Sequence, residues 1–232
     1  MSNDFFQFKQ FTIWQSQCAM KVGTDGTLLG AWADLPATVN PSPTILDVGT
    51  GTGIIALMMA QRFPQAHVVG IDIDGDAANQ AKQNAQASPF ANRVDIRHGD
   101  FGTLEGTACY EAIVSNPPYF VNALRSPDAT RTLARHAHTL PFRVLMERSW
   151  QLLSDGGCLS VVVPADAQGI IEGEAALAGF FKQRECLVFT SPCKPAKRVM
   201  LAFGKHSTPM KRQQLTIGSE EYIALMADFY LE

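Results

Sequence analysis

Short apolar runs alternate with helical patterns along this chain. The run "PTILDV" (43–48) reads as a strand that turns into a glycine-rich loop, and Ile54, Ile55, Leu57, Met58 and Met59 then crowd one side of a helix that "FP" at 63–64 stops. "HVVGID" (67–72) is a second strand, "DAANQAKQNAQ" (76–86) an Ala-rich helix stopped by Ser88 and Pro89, and "RVDIRHGD" (93–100) a third strand. "EAIVSN" (111–116) is the fourth. A helix from about Phe142 to Leu153 reaches the turn "SDGG", and "CLSVVVP" (158–164) is a fifth strand whose unbroken apolar run marks burial on both faces. "CLVFT" and "RVMLAF" supply two more, and the amphipathic "EEYIALMADFYL" closes the chain. Strands spaced by helices predict an α/β fold with a mostly parallel seven-stranded sheet covered on both faces, and ligands at the carboxyl ends of the strands.

The first residues follow a different pattern. Alternation in "FQFKQFTIW" predicts a short hairpin or a strand laid over the main sheet. A lid over a site and plain aromatic core are both compatible with that run. The expected organisation is one domain over 1–232, with a lid-like extension at 1–40 and a catalytic core at 41–232.

With 46% hydrophobic and 18% charged residues in 232, the composition is that of a soluble globular protein with one substantial core. No signal peptide and no long uncharged apolar run is evident, so neither secretion nor membrane insertion is expected. The five cysteines form no C-x-x-C pair and lie near no histidine at finger-like spacing, which predicts reduced cytoplasmic thiols and no metal site. A net charge of −3 argues against coating nucleic acid by bulk electrostatics, but the average hides an asymmetry. Residues 180–215 carry a surplus of seven positive charges, whereas 1–120 carry an excess of five negative ones.

Chemistry concentrates in two loops. In "LDVGTGTGIIAL", Asp47, Gly49, Gly51 and Gly53 recur at every second position between a strand and a helix. Glycines there permit a tight turn and close approach to a ligand, and the helix start offers N–H groups. An acid at the end of the next strand is expected to bind ribose hydroxyls, and Asp72 stands there, with a helix cap as its alternative role. The G-x-G-x-G spacing departs from the G-x-G-x-x-G of nicotinamide enzymes, and Asp47 suits a ligand bearing an ammonium group.

The second loop is "SNPPYF" (115–120). Two prolines must end the strand before them and hold a rigid turn. An exocyclic amine on a heteroaromatic ring is a poor nucleophile because its lone pair is delocalised. Two fixed acceptors for its N–H bonds let the nitrogen pyramidalise, and the Asn116 side-chain oxygen and the Pro117 carbonyl supply them. Pro118 keeps Pro117 out of helical geometry, and Tyr119 offers a face for a planar substrate to stack on.

These two loops together resemble those of the Rossmann-like class I S-adenosylmethionine-dependent methyltransferases. The resemblance implies that Asp47 and Gly49 to Gly53 hold the amino acid part of the cofactor, Asp72 the ribose and Asp100 in "HGDF" the adenine amino group. Ile73, Phe101 and Asn116 complete that set. Asp100 as an exposed turn residue remains the alternative. A narrower resemblance lies in "CAMKVGTDGTLLGAWA" (18–33), with "RTLARH", "RVMLAF" and the terminal "EYIALMADFYL". They are similar to the bacterial tRNA adenine-N6 methyltransferases that modify adenine 37 of a valine tRNA. This implies that Lys21, Gly23, Thr24 and Asp25 touch the cofactor's amino acid end. Thr24 and Asp25 as helix N-caps and Lys21 as a solvated side chain stay open. The implied partner is the tRNA anticodon stem-loop, met by a monomer, with phosphates tracked by the 180–215 cations and by Arg125, Arg131 and Arg135. Lysines scattered round the rim would give the same count. His136 and His138 read as loop or core histidines. N5-glutamine methylation of a protein and guanine-N2 methylation of rRNA use the same or similar loops, and a non-catalytic cofactor-binding module is the third alternative.

Overall fold

The computed structural model describes residues 4–16, 18, 21–37, 40–118 and 140–231. Two antiparallel strands, β1 (Phe5–Gln7) and β2 (Thr12–Trp14), open the chain, and α1 (Thr24–Trp32) follows. The central alternation is β3 (Thr44–Val48), α2 (Ile54–Arg62), β4 (His67–Asp72), α3 (Gly75–Gln86) and β5 (Val94–His98), and then β6 (Tyr110–Ser115). After 140 come α4 (Phe142–Leu152), β7 (Leu153–Pro164), α5 (Gln168–Ala178), β8 (Phe181–Phe189), β9 (Arg198–Gly204), β10 (Lys211–Thr216) and α6 (Glu220–Met226).

The strands from β3 onwards form one sheet in the order β10-β8-β9-β7-β6-β3-β4-β5. Among the described strands of this sheet, only β9 runs antiparallel to its neighbours. The order reverses at β3, with β4 and β5 to one side and β6 to the other, which opens a crevice at the carboxyl ends of those strands. The seven expected strands are joined by an eighth, β10, whose sequence "KRQQLT" is exposed at its first four positions. An edge strand with so little apolar content carries no periodic signal.

Alternate strand residues feed opposite faces, as the two-residue period requires. Ile45 joins the layer built by α1, α2 and α3, while Leu46 and Val48 join the layer built by α4 and α5. The helix α1 meets α2 closely at Gly30, where a Cβ would stand 2.8 Å from the Met58 sulfur. The aromatic run divides between core and surface. Phe8, Phe11 and Ile13 are core, whereas Phe5, Phe6 and Trp14 remain 39–48% exposed. Asn84 of α3 holds it in place, accepting from the Trp14 N–H at 2.9 Å and donating to the Trp14 carbonyl at 2.8 Å.

Candidate active site

A cavity of about 1030 Å³ opens at the carboxyl ends of β3, β4, β5 and β6. Its floor is the loop after β3. Gly49, Gly51 and Gly53 have φ of 69°, 56° and 82°, a left-handed conformation that residues with a Cβ rarely adopt. A Cβ on Gly49 or Gly51 would meet nothing within 4 Å, so both open onto the cavity, while one on Gly53 would crowd Ala81 at 3.2 Å. Gly70 serves the same loop from below, where a Cβ would come within 2.8 Å of the Thr50 hydroxyl. The expectation that this loop offers its amides to a ligand is corrected for four of them, of which Gly53 N–H donates to the Thr50 carbonyl at 2.8 Å. Gly49 and Thr50 N–H donate to the Ile71 carbonyl, and Gly51 N–H donates to Asp72 Oδ2 at 2.8 Å. The glycines leave room and shape rather than donors.

Asp47 lies beneath the loop, fully buried and outside the cavity lining. Its Oδ2 accepts from the Thr50 hydroxyl at 2.6 Å and from the Ala56 N–H at 3.1 Å, fixing the loop to the first turn of α2. Oδ1 has no partner among the described residues. Burial pushes the carboxyl up to about 7, against the lowering by those two hydrogen bonds. Asp72 does line the cavity, and its Oδ1 accepts from the Asp74 N–H at 2.9 Å, while burial raises it. The helix cap at α3 belongs to Asp74, not Asp72. Asp100, exposed on the rim, caps a short turn through the Gly102 N–H at 2.8 Å, and Ile73 and Phe101 line the cavity beside it.

The turn after β6 stands next to the glycine loop because β6 and β3 are neighbours, with Ser115 opposite Val48. Adjacent strands lie about 4.8 Å apart, and the buried Ser115 hydroxyl stitches them by donating to the Val48 carbonyl at 2.9 Å. Asn116, Pro117 and Pro118 line the cavity, and Asn116 Oδ1 is buried with no partner among the described residues. A buried acceptor left unpaired costs about 1–3 kcal/mol, so this one waits for a donor. Tyr119, Arg125, Arg131, Arg135, His136 and His138 lie outside the described residues.

The N-terminal wall is made by Cys18, Lys21 and Gly23 to Gly26 rather than by the hairpin. The N-cap of α1 is Gly23, with no side-chain cap, which corrects the reading of Thr24 and Asp25 as caps. Asp25 instead accepts from Arg198 Nε at 2.7 Å across the cavity. Lys197 and Arg198 were expected only as phosphate contacts within the 180–215 stretch and Ser115 was given no role, and no spacing links the three to the two loops as cavity lining. Asn84 was also missed, though a polar residue on the buried alanine face of α3 signals it, and it donates to the Thr52 carbonyl of the glycine loop at 2.9 Å.

The basic stretch is largely committed elsewhere. Lys182 bridges Glu172 and Glu185, Arg184 pairs with Asp34 and lies over Trp32, and Lys205 donates to the Leu153 carbonyl. Among the described residues there is no cluster of metal-binding side chains and no helix long and apolar enough to cross a membrane.

A family model described as "Methyltransferase small domain" matches residues 33–190. The chain is 43% identical over 241 residues to the "tRNA1(Val) (adenine(37)-N6)-methyltransferase" of Bacteroides fragilis, with both chains covered completely. It is 40% identical over 242 residues, again with full coverage, to the protein of the same name in Trichodesmium erythraeum. Among solved structures, it resembles a predicted O-methyltransferase from Agrobacterium tumefaciens with a TM-score of 0.65 at 19% identity, covering 85% of this chain and 90% of that one. A putative class I S-adenosylmethionine-dependent methyltransferase from Listeria monocytogenes gives 0.59 at 15% identity, covering 87% and 66%.

Proposed function

We propose, from the premise that this chain belongs to the methyltransferase small domain family, that it transfers a methyl group from S-adenosylmethionine to N6 of adenine 37 in a valine tRNA. The observation that carries the reading is the buried Asn116 Oδ1, without a partner among the described residues, at the cavity wall beside the glycine loop. The shared amine and amide chemistry of such a turn leaves protein glutamine and rRNA guanine as formal alternatives, and the full-length relatives named for tRNA adenine-N6 decide among them.

The residues present fit the cofactor. Two glycines open the floor, Asp72 and Asp100 line the wall, and the cavity is at the upper end of the roughly 300–1,000 Å³ usual for small-molecule sites. Asp72 would take the ribose hydroxyls and Asp100 the adenine amino group, with Ile73 and Phe101 beside the ring. Gly49 to Gly53, Lys21, Gly23 and Thr24 would surround the amino acid end, with Asp47 supporting the loop from below. When bound, the cofactor supplies a methyl group activated by a sulfonium.

Asn116 Oδ1 accepts one N–H of the target amine and the Pro117 carbonyl the other, which turns the nitrogen lone pair towards the cofactor loop. Pro117 and Pro118 fix both acceptors before substrate arrives. Preorganised dipoles of this kind contribute about 3–4 kcal/mol per essential group. The proton released after transfer passes to water, so no general base is needed. The target base leaves the anticodon loop to enter the cavity, at a cost of a few kcal/mol. Tyr119, by its place in the sequence, stacks on that base, and one protomer carries the whole site. A cytoplasmic enzyme meeting the anticodon stem-loop is the setting this requires.

The test uses the purified protein, S-adenosylmethionine and an unmodified valine tRNA transcript, with mass spectrometry of the digested RNA. N6-methyladenosine at position 37, absent from a transcript with guanine at that position, is the expected result. Unmethylated tRNA alongside methylglutamine formed in a protein extract would overturn the reading.

A further inference from the structure

Eight Lys or Arg side chains lie between 180 and 215, and the sheet divides them between its two ends. β10 is parallel to β8, with Lys211 opposite Arg184, and both strands begin at the end of the sheet away from the cavity. The antiparallel β9 ends there too, with Phe203 opposite Lys182, and Lys205 follows it directly. Lys182, Arg184, Lys205, Lys211 and Arg212 are therefore a sheet length from the site. Lys194 and Lys197 belong to the β8–β9 connection and Arg198 begins β9, all at the cavity end, where Val188, Thr190, Lys197 and Arg198 line the opening.

Arg198 is engaged with Asp25. Lys194 and Lys197 are exposed and have no side-chain partner among the described residues. Their backbone is nonetheless held. Lys197 N–H donates to the Val188 carbonyl at 2.9 Å, the Lys197 carbonyl accepts from Ala165 N–H at 3.2 Å and from Arg198 Nη1 at 3.0 Å, and Lys194 N–H donates to the Ser191 carbonyl at 3.1 Å. Pro192 and Pro195 stiffen the turn. Of the two cations on this fixed turn, Lys197 lines the cavity and Lys194 precedes it by three residues, and the cavity wall carries Asp72, Asp74 and Asp100. An interior of acids admits a cationic cofactor and an amine, and the cationic lip suits the anion that accompanies the amine.

We infer that the β8–β9 turn is the phosphate-contacting lip of the site, with Lys194 and Lys197 holding phosphodiester oxygens of the RNA strand that carries the target adenine. This rests on the proposed tRNA reading. The other end of the sheet, richer in cations by count, makes no such contact.

The chain carries its own probes. Cys193 is exposed within the turn, Cys109 is exposed just before β6 at the far end, and Cys18, Cys158 and Cys186 are buried. A thiol-tethered photoreactive azide on Cys193, in Cys109→Ser protein, should cross-link valine tRNA. The same label on Cys109, in Cys193→Ser protein, should give background yield only. Equal yields would overturn the inference.

Binding gives the second readout. Lys194→Ala with Lys197→Ala should weaken tRNA binding about tenfold near 0.1 M salt and flatten the log–log salt dependence by about 1.4, since each contact with single-stranded backbone contributes about 0.7. Affinity for S-adenosylhomocysteine should stay within twofold. The matching pair at the far end, Lys211→Ala with Arg212→Ala, removes the same charge and should leave both affinities unchanged. Equal losses from both pairs, or a fall in S-adenosylhomocysteine affinity in step with tRNA, would sink the assignment. A wild-type protein that methylates tRNA normally while the lysine pair has no effect defeats this inference alone. A wild-type protein that never methylates tRNA defeats the functional reading beneath it.

Discussion

The loops after β3 and β6 solve neighbouring problems with opposite residues. Both leave the carboxyl ends of adjacent strands, joined by the Ser115 hydroxyl on the Val48 carbonyl. Residues 49–53 use three glycines in left-handed geometry, so the chain folds away and opens space. Residues 117–118 use two prolines, which cannot move in φ and carry no N–H. The first loop commits its Gly49, Thr50 and Gly51 N–H groups internally, to Ile71 and Asp72, and the second presents an acceptor with no partner among the described residues. The three glycine N–H groups are thereby committed within the protein and the two prolines have none, unlike the amides of a phosphate-binding loop. The difference is that one loop must yield volume and the other must hold a direction.

That contrast is tested hardest at Asn116. Asn116→Ala removes the directed acceptor and leaves the glycine loop intact. Turnover should fall by about 10²–10³, the loss seen when one preorganised group is removed, while S-adenosylhomocysteine binds within a few-fold of wild type by calorimetry. A variant that methylates at the wild-type rate would show that the second loop is only a turn. The complementary change, Gly51→Ala, puts a methyl into open cavity space at φ 56°. Left-handed geometry costs a residue with a Cβ about 1–2 kcal/mol. Cofactor affinity should therefore drop roughly tenfold, with circular dichroism unchanged and turnover at saturating cofactor nearly kept. Equal losses in turnover and affinity from both variants would erase the distinction between the loops.

The two loops were legible in the sequence because each depends on residues whose backbone behaviour is local. Glycine and proline declare their geometry without reference to distant neighbours, and the strand pattern before them places them at the sheet's end. Asp25, Arg198 and Lys197 were not legible as one region, since 173 positions separate Asp25 from Arg198 and only the register of β9 brings them together. The 180–215 charge excess misled for the same reason. Its acidic partners Glu172 and Asp34 lie outside the counted stretch, and strand direction sends most of its cations away from the cavity. β10 escaped because an exposed edge strand needs no apolar alternation.

Asp47 separates the loops in a subtler way, with the smallest effect on turnover at neutral pH. Its carboxyl is buried under the glycine loop and raised from the ordinary value of 3.8 to about 7, chiefly by desolvation. A raised folded-state value means that the folded protein holds this proton more tightly than the unfolded chain. The resulting stability is fully present below about pH 4 and is lost as pH rises to about 7, at no more than about 1.4 kcal/mol per pH unit, with no further change above that. Asp47→Asn keeps an acceptor for Thr50 and Ala56 but cannot ionise. The melting temperature of Asp47→Asn minus that of wild type should therefore climb between pH 5 and 7 and level off by pH 8. The amide's extra donor shifts this difference by a constant, so the slope is the readout. No comparable slope should follow Asn116→Ala, because among the described residues the proline turn rests on no buried charge. A flat difference for Asp47→Asn would mean that the carboxylate is already ionised beneath the loop, and that the glycine turn, like its neighbour, is held by neutral geometry alone.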